Sequence, residues 1–477
     1  MKYTELMAVD LAKLGAAVAD WKRMADDLQR LDGEARDGLK AKADTARWEG
    51  VNAAVSRDFV GKAVKEFADL GAEAKSIYAV VDDAYSELKN LQQQARDLAD
   101  DAKGDGFAVS DGKDGAVVIA EALICSVERT QRQTDLMQWY ADTFTGIVAH
   151  AGEVDAAAVR ALRAVHGGDP NNAGHATYTS LDEDMVPRAL KLAALGEDAN
   201  GSQQKELRRL WQSLSPEARV QLWTRHKDDL LAAGLLTPQV KRIAADKGAG
   251  PYDVESPGAG DYWKQFLAGG ISNTGDFMGK PDAAHHMDHY LGGSGTTLDL
   301  DVDRMLTDDK NLRDVTAGVR ADKEDEWRRQ ALEAFEKSGG KPVAIPVETS
   351  GQGYTHVDGG DRNWYLAVGS AMTNTTGVVT AVPGPDGRPQ IGIDYQVNVW
   401  DRYNWDPGKA TPIGPTTVTD ADMARLHTTG LAREFDMRGS SSVQHHDLSS
   451  EGSRWPGPED PGRDGTRTDI GRNTDAR

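Results

Sequence analysis

Apolar residues recur at alternating steps of three and four through most of the first hundred positions. Leu11, Leu14, Val18, Trp21, Ala25 and Leu28 form one series; Val60, Val64, Phe67, Gly71, Ala74, Tyr78, Val81, Tyr85 and Leu88 form a second. Each series lays an apolar stripe along one side of a helix. The segment between them is short and polar, so the stripes are buried best when the two helices fold back on each other. Trp48-Glu49-Gly50 sits in that connection. The glycine supplies freedom for a bend, and the indole is large enough to seal the open end of the pair.

Beyond the hairpin, Gly104-Asp-Gly106 and Ser110-Asp-Gly112-Lys113-Asp114-Gly115 break the helical period and frame a small hairpin around Phe107-Ala-Val109. Two further helices are expected over 116–149 and 154–166, ended by Gly167-Gly168-Asp169-Pro170. The pattern stays helical over 183–249, with Ser202 as an expected N-cap and Leu207, Leu210, Trp211 and Leu214 as an apolar face. Ser215-Pro216-Glu217 restarts a helix with Ser at the cap and Pro in the first turn. Gly248 to Gly260, rich in Gly and Pro, is the expected domain boundary.

The character then changes. Short helices are expected over 281–291 and around Trp327 (322–337), followed by strands over Pro342–Glu348, Trp364–Met372, Thr375–Val382 and Gln390–Trp400. The last alternates Ile391, Ile393, Tyr395, Val397 and Val399 with Asp394, Gln396 and Asn398. Pro383-Gly-Pro-Asp-Gly387 is a hairpin turn. Thr419 starts a helix that stops at Gly430, with Asp422 placed for a capping box. The fold class is therefore multidomain: an N-terminal all-α helical hairpin (1–103), a helical middle (104–249), a C-terminal α+β domain with a mainly antiparallel sheet (258–448), and a tail (449–477) too poor in apolar residues to order.

Charge narrows the classes. The formal net charge of −21 and pI near 5.0 argue against a nucleic-acid binder, which needs a basic face to neutralise phosphates. Mean hydropathy is −0.56, and the longest apolar stretch, Ala116 to Ile124, is interrupted by Glu121. It falls short of the roughly 20 residues of a spanning helix, so an integral membrane protein is not expected. Met1-Lys2-Tyr3-Thr4-Glu5 has no basic segment leading into an apolar core, so no cleavable signal is expected. Cys125 is the single cysteine, in an apolar helical context that suits a small buried hydrophobe.

The hairpin with Trp48 and Gly50 at its turn resembles the WxG family of type VII (ESX-like) secretion substrates over residues 1–100. The resemblance implies an export route that reads the hairpin. Family members carry a Tyr-x-x-x-Asp/Glu signal on the second helix, which Tyr78 and Asp82 match, although this helical pattern continues well past it. Leu210-Trp211-Gln-Ser-Leu214-Ser-Pro216-Glu-Ala-Arg219 is similar to a connector of actinobacterial WxG-bearing proteins that often precedes an α/β-hydrolase domain. No Gly-x-Ser-x-Gly elbow follows it here, so that enzymatic inference does not carry over.

Three polar clusters in the C-terminal domain are candidate chemistry. His285 and His289 stand one helical turn apart, the spacing of a two-His metal site. Asp288 points about 60° away from His285, so a third ligand must come from elsewhere; Asp299, Asp301 and Asp303 follow in an expected extended segment. Asp401, Tyr403 and Asp406 close the final long strand, where a rigid scaffold holds a loop, and His427 on the following helix is the nearest proton carrier in sequence. The stretch 401–411 resembles the catalytic segment of colicin M-type lipid II-cleaving toxins at Asp401 and Tyr403. Asn404, Ala410 and Thr411 replace the second Asp and the His-Arg of that pattern, so its mechanism is not implied. His356-Val-Asp358-Gly-Gly-Asp361-Arg362 is a polar loop, and Ser440-Ser-Ser442 with His445-His446 suits a linker.

Two functions from different classes fit. One is an export substrate of the polymorphic-effector kind, secreted or held at the cell envelope without a signal peptide, with a secretion-system component or a small helical protein as partner. The other is a non-enzymatic cell-envelope or phage-associated interaction protein, for which a cytoplasmic location is the alternative. The residues name no cofactor.

Overall fold

A computed structural model describes the chain except at residues 48, 122–130, 167–176, 239–247, 278, 357–360, 406–418, 450–454 and 456–477. It divides into two compact units, Met1–Leu235 and Leu236–Arg477. The division lies upstream of the Gly/Pro-rich stretch 248–260 because that stretch is tied to the second unit. Ala249 N–H donates to Glu434 (2.8 Å), and Val254 N–H donates to the Thr428 carbonyl (2.9 Å). The Leu236 carbonyl likewise accepts from Thr376 Oγ1 (2.5 Å) and Gln396 Nε2 (3.2 Å). The hairpin and helical middle belong to one unit.

The first unit opens with α1 (Tyr3–Ala8) and α2 (Leu11–Gly33), the latter capped by Asp10, which accepts from Ala12 N–H. A π-helical stretch, Glu34–Lys40, and α3 (Ala41–Thr45) lead to α4, a helix of 54 residues from Val51 to Gly104. Gly15 packs on the ring of Tyr85 while Leu28 meets Gly71, so α2 and α4 run antiparallel, as the two stripes predict. A buried amide holds the far end: Gln92 Nε2 donates to the carbonyls of Leu6 (2.8 Å) and Val9 (3.0 Å) at the end of α1. At the turn, the Arg57 guanidinium donates to the carbonyls of Ala43 (3.0 Å) and Ala46 (2.9 Å), satisfying the last turn of α3.

After α4, β1 (Phe107–Asp111) and β2 (Val117–Glu121) form an antiparallel pair, with Phe107 opposite Glu121 and Asp111 opposite Val117. The expected helices 116–149 and 154–166 are thus corrected. Val117 and Ile119 bury one face of a strand, and a single helix, α5 (Gln131–His166), crosses the intended break. It stays continuous because Ala151, Val154, Ala157 and Ala161 are buried along one stripe. Cys125 lies outside the described residues. Next come α6 (Asp182–Ala193), α7 (Gly201–Ser213) and α8 (Pro216–Ala232). Asn200, not Ser202, caps α7 through a box with Gln203, while Ser215 caps α8 as expected. Buried Glu153 of α5 joins three elements by accepting from Arg188 (2.6 Å), Arg160 (2.8 Å) and Arg209 (3.0 Å).

The second unit begins with α9 (Ala259–Phe277) and α10 (Pro281–Leu291), then β3 (Leu298–Asp299). Asp301 caps α11 (Val302–Asp308) and Asp309 caps α12 (Lys310–Lys337), so the expected extended acidic segment is mostly helix starts. Strands β4 (Val343–Glu348) and β5 (Gln352–Thr355) precede α13 (Arg362–Ala367), then β6 (Ser370–Pro383), β7 (Pro389–Tyr403), α14 (Asp420–Thr428), β8 (Phe435–Ser440) and β9 (Gln444–Asp447). The start of the expected strand Trp364–Met372 is helical: the Asp361 side chain accepts from Trp364 N–H, and the strand begins only after Gly369, at φ +74°. The expected linker at 440–446 is a short connection between two strands: β8 ends at Ser440, and β9, which holds His445 and His446, begins at Gln444, and both strands pair with β7.

The sheet order is β3-β8-β7-β6-β4, with β5 on β6 and β9 on β7; every pairing is antiparallel except the short β3–β8. The odd positions of β7 enter a core with Trp327, Phe335, Val343, Val379 and Trp364. Gln396 and Asn398, at even positions, are polar yet also buried. Asn398, with no exposed surface, donates to Asn374 Oδ1 (2.9 Å) and Thr376 Oγ1 (3.0 Å) and accepts from Gln396 (2.8 Å) and Ser440 (2.7 Å). The chain is thus multidomain, with an N-terminal helical hairpin and helical middle and a C-terminal α+β unit whose sheet is mainly antiparallel.

Candidate functional site

The end of β7 gathers side chains from three elements. Asp401 and Tyr403 are two positions apart and share a strand face. Tyr403 lies opposite Phe435 of β8 and stacks on it at 4.9 Å between centroids and 11° between planes. Tyr290 (5.7 Å), Trp405 (5.7 Å) and His286 (6.2 Å) complete an aromatic nest that pushes the Tyr403 hydroxyl well above its ordinary range through burial. Asp401 is half-buried on the strand, and Asp406 lies outside the described residues.

His427 of α14 is buried with both ring nitrogens engaged. Nδ1 accepts from Glu434 N–H (3.1 Å), so Nε2 carries the proton and donates to the Gly250 carbonyl (3.1 Å). In this arrangement neither nitrogen is free to take a proton from a substrate. The hub is Glu434, which pattern reasoning passed over. Its buried carboxylate accepts from Ala249 N–H (2.8 Å), Trp405 N–H (3.2 Å) and Arg402 Nη2 (3.2 Å). Its only sequence signal is a lone acid between Ala432 and Phe435, just past the Gly430 stop. Among the described residues, buried Arg402 Nε, Asn404 Nδ2 and Trp405 Nε1 have no acceptor. Donors in excess suit an anionic or carbonyl-bearing ligand better than a cation.

His285 and His289 do occupy one side of α10, but they are not joined by further ligands. His289 Nε2 donates to the Thr296 carbonyl (2.9 Å) and its ring meets Phe435 edge-on at 4.4 Å. Asp288 accepts from Ser272. Among the described residues, no group of three or more His, Cys, Asp or Glu side chains is placed to hold a metal ion. The buried member of the cluster is His286, whose Nδ1 donates to the Ala367 carbonyl (2.7 Å); burial lowers its pKa to about 4.

A second buried polar cluster joins the start of α12 to the end of β5. Asp309 Oδ2 accepts from Tyr354 Oη (2.7 Å) and from His356 Nδ1 (2.6 Å), while Oδ1 caps the helix at Asn311 and Leu312. Tyr354 and the helix-capping and histidine hydrogen bonds outweigh burial and hold the Asp309 carboxyl low; burial outweighs Asp309 and holds the His356 imidazole low. The pair is therefore a carboxylate and a neutral imidazole. The sequence marked His356 only as part of a polar loop, because Asp309 is far away along the chain.

In the first unit, Gly50 adopts φ +94° immediately before α4; Trp48 lies outside the described residues. Tyr78 Oη is 3.4 Å from Asp82 Oδ2, one turn away on α4, and the helix continues to Gly104. No helix among the described residues is long and apolar enough to cross a membrane. No protein-family model, characterised protein or solved structure gives a significant match to this chain.

Proposed function

We propose that the chain is a modular export substrate of the type VII (ESX-like) kind, with the hairpin as targeting element and the α+β unit as cargo. The reading is carried by the antiparallel pairing of α2 and α4 across the turn that holds Gly50, fixed by Gly15 on Tyr85 and Leu28 on Gly71. Tyr78 and Asp82, one turn apart on α4, support it as the signal pair. The product is then secreted or envelope-associated by a route needing no cleavable signal, and its partner is a secretion-system component or a small helical protein. In a host with an active type VII apparatus, removing residues 1–104, or substituting Tyr78→Ala with Asp82→Ala, abolishes the protein in the culture filtrate while its cellular level persists. Undiminished export without the hairpin ends this reading.

For the cargo, the geometry favours recognition over catalysis at the strand end. Tyr403 is committed to the aromatic nest and His427 to two backbone hydrogen bonds, which leaves the unmatched donors of Arg402, Asn404 and Trp405 as the chemistry on offer. Growth on expressing Leu236–Arg477 separates the two. A toxin enzyme gives arrest relieved by Asp401→Ala or His427→Ala, whereas a binding module gives equal growth for all three.

A further inference from the structure

Among the described residues, the elbow of the hairpin carries the most exposed apolar side chains of the pair. Leu39 (60% exposed), Val55 (62%) and Phe59 (71%) face solvent, beside Val51 (80%) at the first turn of α4. Leu39, Ala43, Ala46, Val55, Phe59 and Val60 line a cleft of about 670 Å³, with Lys42 the one charged residue among its described lining. The cleft is bordered by the end of the π-helical stretch Glu34–Lys40 and by α3, which Arg57 of α4 holds by the carbonyls of Ala43 and Ala46. π-Helical turns are rare and frequently occur at functional sites.

Charge decides what fits. Residues 34–65 carry seven Lys and Arg against five Asp and Glu, a net of +2 in a chain of −21. Lys40 and Lys62 are matched along their own helices by Asp44 (2.5 Å) and Asp58 (2.8 Å), whereas Lys42 has no ion partner among the described residues. Two copies meeting elbow to elbow would oppose like charges at Lys42. A lipid surface would touch the projecting Phe59 and Val51 but not the recessed Ala43 and Ala46. A ridge of apolar side chains on a helix reaches them, and an acidic residue flanking that ridge meets Lys42.

We infer that this cleft is the seat for an amphipathic helix with acidic flanks from a partner protein. This deepens the export reading by placing its helical partner, and the two fail separately: a cleft that binds no helix leaves hairpin-dependent export intact, and the reverse holds as well. The test uses the full chain and two fluorescent amphipathic peptides about five turns long with the same Leu/Ala stripe, one flanked by Glu and one by Lys. Expected is binding of the Glu peptide in preference to the Lys peptide, weakened about tenfold or more by Phe59→Ser or Lys42→Glu, with the Lys42→Glu variant turning its preference to the Lys peptide. Phe59 and Lys42 are exposed or on the rim, and an unchanged melting temperature verifies that these variants fold. Binding of neither peptide, equal binding by the Phe59→Ser variant, a preference left unreversed in Lys42→Glu, capture by anionic vesicles alone, or concentration-dependent dimerisation lost on Phe59→Ser would each overturn the inference.

Discussion

Asp309 Oδ2 accepts a 2.6 Å hydrogen bond from Nδ1 of His356, and the opposite ring nitrogen of that buried histidine has no partner among the described residues. A neutral imidazole oriented this way resists protonation, because the added charge would sit at an unsolvated nitrogen. His286 behaves alike, its Nδ1 held by the Ala367 carbonyl and its pKa lowered to about 4.

Both groups link stability to acid in the same direction. Each has a folded pKa below its ordinary value of 6.5, so its contribution is intact above pH 6.5 and is lost as pH falls from there towards the folded value. For His286 the loss amounts to about 3 kcal/mol by pH 4. Urea midpoints measured between pH 7 and about pH 4 should fall steeply in the native chain and less steeply in His286→Asn and His356→Asn, which keep a donor but do not titrate. An unchanged pH slope in both variants would contradict the assignment.

Asn398 is the node of the polar face of the sheet, tied to Asn374, Thr376, Gln396 and Ser440. Replacing Asn398 by Leu strands these partners without water, so a loss of about 3 kcal/mol is expected in chemical denaturation. A loss below about 1 kcal/mol would mean the partners re-pair among themselves.

Glu153 is 4% exposed and faces Arg160, Arg188 and Arg209. Burial pushes its carboxyl up, but the Arg188 and Arg160 hydrogen bonds outweigh this and hold it low. Glu153→Gln removes the only charge that, among the described residues, is common to the three guanidinium groups, and is expected to cost about 3–5 kcal/mol in the unfolding of the first unit. Glu206→Gln, at a more exposed pair with Arg188, is expected to cost less than about 1 kcal/mol.

A side chain at Gly15 would begin 3.0 Å from the Tyr85 ring. Gly15→Val should therefore weaken the α2–α4 pairing by about 1–3 kcal/mol, and a second change, Tyr85→Ala, should recover part of that loss in a double-mutant cycle. Additive losses would show that the two positions do not meet.

Much of this architecture is written locally. The stripes from Leu11 to Leu28 and from Val60 to Leu88 announce two helices that must pair, the alternation from Ile391 to Val399 announces a strand, and Thr419 with Asp422 announces a helix start. Each is a relation among residues within a few positions, where backbone geometry alone sets which side chains share a face. The structure departs from the local pattern where that pattern has two solutions. Trp364 to Met372 is apolar enough for a strand, but the Asp361 cap starts a helix there; Val117 to Glu121 suits a helix, but Phe107 to Asp111 offers a strand to pair with.

The sites needed the folded molecule. Glu434 becomes a hub only when Ala249, Arg402 and Trp405 are brought to it, and His356 gains its character only beside Asp309. The elbow cleft borders a π-helical stretch that periodicity does not announce. Periodicity determines which faces are apolar, and so the class of fold; it carries no term for desolvation or for hydrogen bonds between distant segments. Those arise only when packing excludes water, and they decide which polar groups are spent on the structure and which remain for a ligand.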